Sequence, residues 1–312
     1  MAPILKEPGS FFALGCCMPS LPVLINPRSG GGFGERDAKR LDELLRSAGA
    51  EPSIRLARSH EELMAAAKQL VGARAPLVVA GGGDGTMNAV ASVLAGSDTA
   101  LGVLPLGTLN HFARDLRIPL ALDAAVETVV QGRRKSIDLG EVNHRVFVNN
   151  SSLGLYPAMV HQRERLRRRL GGGKWHAMLR AMLIVLRSHP FLEVAIELDG
   201  VTRRRRTPFV FIGNNVYKME GFTIGLRERL DRGVLSVYLT HRRRRLGLVL
   251  LALRALFGLL HQARDFEAST TRELRIESRH RRLLVATDGE VAALETPLDY
   301  RIRPGALQVI AP

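Results

Sequence analysis

The chain has 312 residues, 46% hydrophobic and 24% charged, enough apolar material for one large or two modest cores and too much for a disordered tail. Its formal net charge of +15 is uneven: residues 1–140 hold 15 Lys and Arg against 14 Asp and Glu, whereas residues 141–312 hold 30 against 16. A nearly neutral half joined to a basic half predicts an anionic partner for the second, with nucleic acid and lipid headgroups as the candidates.

In chain order, FFALGCCM resembles a short secretory h-region with a lipoprotein cysteine, but Ala13 stands where that cleavage pattern wants Leu and the run is brief. MPSLPVLINPRSG enters the first strand at once, so translation is expected to start at Met18. Cys16 and Cys17, the two cysteines, are adjacent and poorly placed for a structural disulfide, which fits a reducing cytosol. Leu21 to Asn26 (LPVLIN) reads as a buried strand, and Glu35 to Ala48 as a helix with Leu41, Leu44 and Leu45 on one face. SIRLA, a helix from His60 to Val71, APLVVAG, a helix from near Thr86, ALGVLPLG and a helix from Leu122 to Val130 follow. This alternation implies a parallel sheet with its ligand beyond the carboxyl ends of the strands.

After about Asp138 the pattern changes. RVFVNNSSLG, LEVAIELDGVTRRRR, TPFVFIGNN, VLSVYLT, RELRIES and RLLVATDGEVAAL predict a second domain of mainly antiparallel strands, with helices near Arg163 to Arg187 and Leu246 to Ala263. The most apolar run, Leu246 to Leu260, carries Arg254 and is shorter than the ~20 residues that span a bilayer. It reads as a core helix or one lying on a membrane surface.

The stretch VVAGGGDGTMNAV, Val78 to Val90, is a strand that stops in glycines and hands over to a helix. Bare backbone N–H groups and a helix N-terminus at one point suit a phosphate. The dinucleotide fingerprint fails because Thr86 stands where its third glycine belongs, and no Walker pattern occurs. A tight turn without ligand is the plainer alternative. NPRSGGGFG (Asn26 to Gly34) and PLGTLNHFARDLRIP (Pro105 to Pro119) also lie between a strand and a helix, so three such turns would line one edge of the sheet.

NPRSG, GGDGTMN, PLGTLNHFAR and the distant DGE at Asp288 to Glu290 together resemble the diacylglycerol kinase catalytic-domain superfamily, which includes sphingosine, ceramide and bacterial soluble lipid kinases. GGDGT alone would also fit NAD kinases and phosphofructokinases. The resemblance implies an α/β nucleotide domain with an NAD kinase-like parallel sheet over 1–140, a β-rich, largely antiparallel lipid-substrate domain over 141–298, and a cleft between them. A final strand, about 299–312, would return to the first domain. Gly82, Gly83, Asp84, Gly85, Thr86 and Asn88 would hold the phosphates of ATP and its Mg²⁺, with Asn26, Ser29, Gly30 and Thr108 completing the pocket. This suits phosphoryl transfer, which is catalysed mostly by positioning and charge neutralisation.

Asp288-Gly289 on its own reads as a type I′ hairpin turn. By the resemblance, Asp288 and Glu290 become the essential pair, Glu290 placed first as base and Asp288 beside it on the metal. Two departures stand out. His111 occupies the position where the family's third motif commonly has Asp, with Asp115 one helical turn on as a substitute, and His111 itself reads equally as a capping or packing residue. In RLDRGVLSV Asp231 is kept, but Arg232 replaces the second acid of a segment that holds a structural metal in the family. Asp138 matches a family acid at the domain junction and otherwise reads as a turn residue.

Basic clusters at Arg163 to Trp175, Arg203 to Arg206 and Arg242 to Arg245 lie in the expected substrate half. Each alone could be a solvated face. With the apolar WHAMLRAMLIVLR beside the first, they suit docking on anionic lipid by a cytoplasmic, peripherally membrane-associated enzyme. Aromatic content of 5% and the lack of zinc, RRM or KH patterns argue against nucleic acid. An NAD kinase or a non-catalytic nucleotide or nucleic-acid binder is the alternative, and oligomeric state is not legible.

Overall fold

The structure, a computed structural model, describes residues 20–155, 157, 191–198, 200–220, 223–240 and 266–312. The two expected helices of the second half, the basic clusters at 163–175 and 242–245, the cysteine pair and Met18 lie outside the described residues. The chain forms two compact units, one running to Ile137 and taking in Ala306–Pro312, the other Asp138–Gly305.

The first unit alternates β1 (Leu21–Ile25), α1 (Glu35–Ser47), β2 (Pro52–Leu56), α2 (His60–Gly72), β3 (Leu77–Gly82), α3 (Asp84–Leu94), β4 (Ala100–Pro105), α4 (His111–Asp115) and α5 (Leu122–Gln131). β3 and β4 are buried at every position, as strands covered on both faces must be, which is why each reads as an unbroken apolar run. α1 buries Leu41 and Leu45, four residues apart, and leaves its other faces polar. Ser59 caps α2, its hydroxyl accepting the Glu62 N–H at 3.2 Å.

The strand order is β2-β1-β3-β4, followed by the end of β18 (Leu298–Ala311), whose Gln308 and Val309 pair in parallel with Ala100 and Leu101. Because β1 pairs with β2 on one side and β3 on the other, the order reverses at β1/β3. That switch point is where α/β sheets of this order open a ligand crevice. The registers Ile25↔Gly81 and Gly82↔Pro105 put the ends of β1, β3 and β4 level with one another. The three motif turns therefore do share one edge.

The second unit contains a six-stranded sheet in the order β14 (Phe266–Thr271), β13 (Leu235–Thr240), β10 (Phe209–Asn214), β7 (Asn150–Gly154), β16 (Arg282–Thr287), β17 (Glu290–Glu295). Every neighbouring pair in it is antiparallel. β18 also pairs with β15 (Glu273–Ser278), which pairs with β8 (Leu192–Leu198) and that with β9 (Val201–Thr207). Val210, Ile212, Val237 and Val285 of the first set pack with Val194, Ile196, Ile276 and Leu298 of the second in one core, so two sheets face each other. β5 (Arg133–Val142) pairs with β18 and with β6 (Arg145–Phe147), while β11 (Tyr217–Glu220) and β12 (Thr223–Arg227) form a separate hairpin.

Asp138 stands where the second unit begins, as the sequence placed it; it is a buried member of β5 and not the turn residue of the plainer reading. Its carboxylate accepts the N–H groups of Gly233 at 2.7 Å and Gly305 at 2.9 Å and the Asn215 amide at 3.2 Å. Its own N–H donates to Leu230. These bonds join Asp138 to Asn215, Leu230, Gly233 and Gly305, all within the second unit, which runs from Asp138 to Gly305.

The arginines at 203–206 occupy β9, which ends its sheet among the described strands. Arg205 bonds Glu267 at 3.3 Å, and Arg206 lies over the Phe191 ring at 5.1 Å. A charged edge of this kind resists pairing with a second chain.

Candidate active site

The three turns of the first unit are joined by side chains. Asn26, one residue past β1, donates from its amide to Thr86 Oγ1 at 3.1 Å, while its Oδ1 accepts the Arg28 N–H at 3.0 Å. Ser29 Oγ accepts the Gly83 N–H at 3.3 Å. Gly30, at φ +60°, packs its backbone against Leu106 O, where any Cβ would collide. Gly83 is the N-cap of α3, which starts at Asp84 and not at Thr86. Asn26, Ser29, Gly30, Gly82, Gly83, Asp84, Thr86 and Asn88 are thus brought to one place. Thr108 is exposed, two residues beyond the Leu106 contact.

Two residues that sequence reasoning passed over hold the third turn. Gly107 backs directly on Gly83. Asn110, buried and left-handed at φ +51°, accepts the Gly107 N–H at 2.9 Å and donates to Gly107 O at 2.9 Å and Pro105 O at 3.3 Å. The signal for it was Asn within PLGTLN, since Asn tolerates the left-handed region and bonds its own turn.

The glycine turn fits a nucleotide phosphate. A Cβ on Gly85 would meet nothing within 4 Å, so the first turn of α3 is open on that side. The N–H groups of Thr86 and Met87 donate to Gly83 O, which leaves those of Asp84 and Gly85 at the helix N-terminus, a place that suits an anion. The donor set also fits Mg²⁺, which takes oxygen ligands from one or two carboxylates and completes its shell with phosphate and water. Asp84 Oδ1 accepts the Phe112 N–H at 3.0 Å, and no partner of its Oδ2 is described. Asn88, four residues on and hence on the same helical face, has a buried Oδ1 without a hydrogen-bond partner. Among the described residues there is no cluster of three or more His, Cys, Asp or Glu side chains, so a cation here would depend on substrate oxygens.

In the second unit Asp288 and Gly289 have φ of +49° and +86° between the paired residues Thr287 and Glu290. The hairpin reading, with positive φ at both central residues, is therefore right. The carboxylate does more than turn the chain. Its Oδ2 accepts the Val148 N–H at 2.7 Å, and its Oδ1 accepts those of Asn149 at 2.8 Å and Asn150 at 3.0 Å. Asp288 is half-buried as a residue, but its carboxyl is enclosed. Glu290 is exposed and starts β17. The two acids differ sharply in environment, a difference their spacing could not reveal.

Burial pushes the Asp288 carboxyl up to about 6, against the three N–H bonds and the Arg227 charge, which pull it down. Its folded value thus lies above the ordinary 3.8. The folded chain binds the proton more readily than the unfolded one, so this stability is present below pH 3.8 and is lost as pH rises through about 6. Urea midpoints are expected to fall over that window and to lose that part of their slope in Asp288→Asn.

Asp231 is held by Arg229 through two bonds, of 2.9 and 3.1 Å. That hydrogen bonding keeps its carboxyl below the ordinary range. It is committed to an arginine rather than gathered with other acids. His111 is exposed at the first position of α4, and Asn110, not His111, is the N-cap. Asp115, at the other end of α4, has a partner of its own.

Two family models match the chain: the diacylglycerol kinase catalytic domain over residues 20–142 and the YegS C-terminal NAD kinase beta sandwich-like domain over residues 156–311. The chain is 34% identical over 182 residues to the diacylglycerol kinase of Bacillus subtilis (strain 168), covering 57% of this chain and 59% of that protein. It is 32% identical over 171 residues to the "Probable lipid kinase YegS-like" of Yersinia enterocolitica, covering 52% and 57%. The matches thus span somewhat over half the length of these curated relatives. In fold it resembles the crystal structure of a diacylglycerol kinase from Bacillus anthracis str. Sterne, with a TM-score of 0.68 over 94% of this chain and 97% of that one at 19% identity. With one family model over the phosphate turns and a second over half of the chain, this protein belongs to the diacylglycerol kinase catalytic-domain superfamily.

Proposed function

We propose that the chain is an ATP-dependent lipid kinase that transfers the γ-phosphoryl of ATP to the hydroxyl of a lipid, diacylglycerol or a close relative. The observation that carries this reading is the glycine turn at the β1/β3 switch point, with open space over Gly85 and oxygen donors on Asp84 and Asn88. The first N–H groups of α3 receive the phosphates, and Ser29 and Asn26 keep the turn in shape. Asp84 and Asn88 would hold Mg²⁺, which would supply charge neutralisation. Glu290 accepts the proton of the lipid hydroxyl as that oxygen bonds to the γ-phosphorus and ADP leaves. Asp288 keeps the turn on which Glu290 sits.

The enzyme would work in the cytoplasm on an anionic membrane surface, drawn there by the basic second half. No helix among the described residues is long and apolar enough to cross a membrane. The test is transfer of label from γ-labelled ATP into a mixed lipid extract, with identification of the product. Labelled phosphatidic acid or a related phospholipid is the expected result. Label in NAD, or none in the lipid fraction, would overturn the reading.

A further inference from the structure

Residues Val148–Asn150 form a three-residue strap that is gripped from both edges. On the N–H edge lies the Asp288 carboxylate. On the carbonyl edge lies Arg227, only 5% exposed. Its Nη1 donates to Val148 O at 2.7 Å and to Asn214 O at 3.1 Å, and its Nη2 donates to the Asn149 side-chain oxygen at 2.7 Å. The guanidinium also lies over the Tyr217 ring, 5.4 Å from its centroid. Asn214 and Tyr217 finish that edge. The Asn214 amide donates to Val148 O at 2.8 Å, its N–H donates to Asn149 O at 2.9 Å, and the Tyr217 hydroxyl donates to Asn149 O at 2.8 Å. The strap answers the hairpin in turn, because Asn150 O accepts the Asp288 N–H at 2.9 Å.

A buried cation and a buried anion thus act on opposite edges of one strip of peptide. Burying a guanidinium is costly unless its donors are satisfied, and here separate nitrogens of a planar fork reach separate acceptors. A lysine ammonium, a single point with rotating donors, cannot span them. We propose that Arg227 is a positioning residue: by clamping Val148–Asn150 it fixes the Asp288 turn and so the place of Glu290. This rests on the lipid-kinase reading for its consequence in turnover, but not for the clamp itself.

The test compares Arg227→Met and Arg227→Lys in the full chain, by amide exchange and by steady-state kinetics with ATP and diacylglycerol vesicles. In Arg227→Met the amides of Val148, Asn149 and Asn150 are expected to exchange about tenfold faster or more, while those of Ile212 and Val237 in the same sheet keep their protection. The turnover number falls about ten- to hundredfold, as a loosened catalytic geometry predicts, and KM for ATP holds within about twofold, since uniform binding is untouched. Arg227→Lys recovers part of both effects. Strap protection and turnover both within twofold of wild type in either folded variant would overturn the clamp, as would equal loosening of the whole unit. If Arg227→Met does not fold, Arg227→Lys decides alone, with intermediate protection expected. If wild type phosphorylates no lipid, the functional reading fails while the exchange comparison still decides the clamp.

Discussion

Glu290→Gln is expected to lower the turnover number by about 10²- to 10⁴-fold, the usual contribution of a positioned proton acceptor, with ATP affinity and melting temperature close to wild type. Gln keeps the shape of the side chain and its place at the start of β17, and loses only the capacity to take a proton. The residue is exposed and its carboxylate makes no hydrogen bond within the described structure, so removing its charge leaves no donor orphaned. The same change at Asp288 is a different experiment. Asp288→Asn sets an amide N–H₂ or a single carbonyl against three convergent N–H donors, and the loss of activity then comes with loss of stability. Single-turnover phosphate transfer, read beside thermal denaturation, separates the two. Turnover in Glu290→Gln within tenfold of wild type would remove it from the base role. A drop in melting temperature as large as that of Asp288→Asn would mean that its part is structural.

How much of this was legible depended on whether the cause was local. The runs LVVAGG and ALGVLP announced β3 and β4 because strands covered on both faces are apolar throughout. α2 carried its own N-cap in Ser59. What periodicity could not show were interactions between distant residues. RVFVNNSSLG reads as one segment yet makes two strands, because the amides at 148–150 turn to a carboxylate some 140 residues away. Asp138 looks like a turn residue until Gly233 and Gly305 donate to it. At Asp288-Gly289 the hairpin and the functional readings competed on sequence. In the structure the hairpin is a fact, and the Asp288 carboxylate is taken up by three backbone N–H groups while Glu290 stands exposed.

Gly107→Ala is expected to destabilise the first unit by roughly 3 kcal/mol, at the upper end of overpacking costs, and to weaken ATP binding about tenfold or more, since misplacing a preorganised site is expensive. A Cβ at this position would be driven into the Cα of Gly83, and it would lie 2.7 Å from Asn110 Oδ1 and 3.2 Å from Gly83 N. None of these can give way cheaply. Gly83 caps α3, and Asn110 is itself fixed by three bonds to the 105–107 turn. Gly85→Ala is the contrasting case. Its Cβ meets no protein atom within 4 Å, and alanine is the better helix former by up to about 1 kcal/mol, so stability should hold or rise. ATP affinity should nonetheless fall if the phosphates lie against this turn as proposed, because the methyl group would project into the open space beside Gly85. Thermal denaturation and ATP titration of both variants read the two effects apart. If Gly85→Ala bound ATP as wild type does, the phosphates would have to lie elsewhere, and the glycines of this turn would answer only to packing, of Gly81 on Ile25, Gly82 on Thr86 and Gly83 on Gly107.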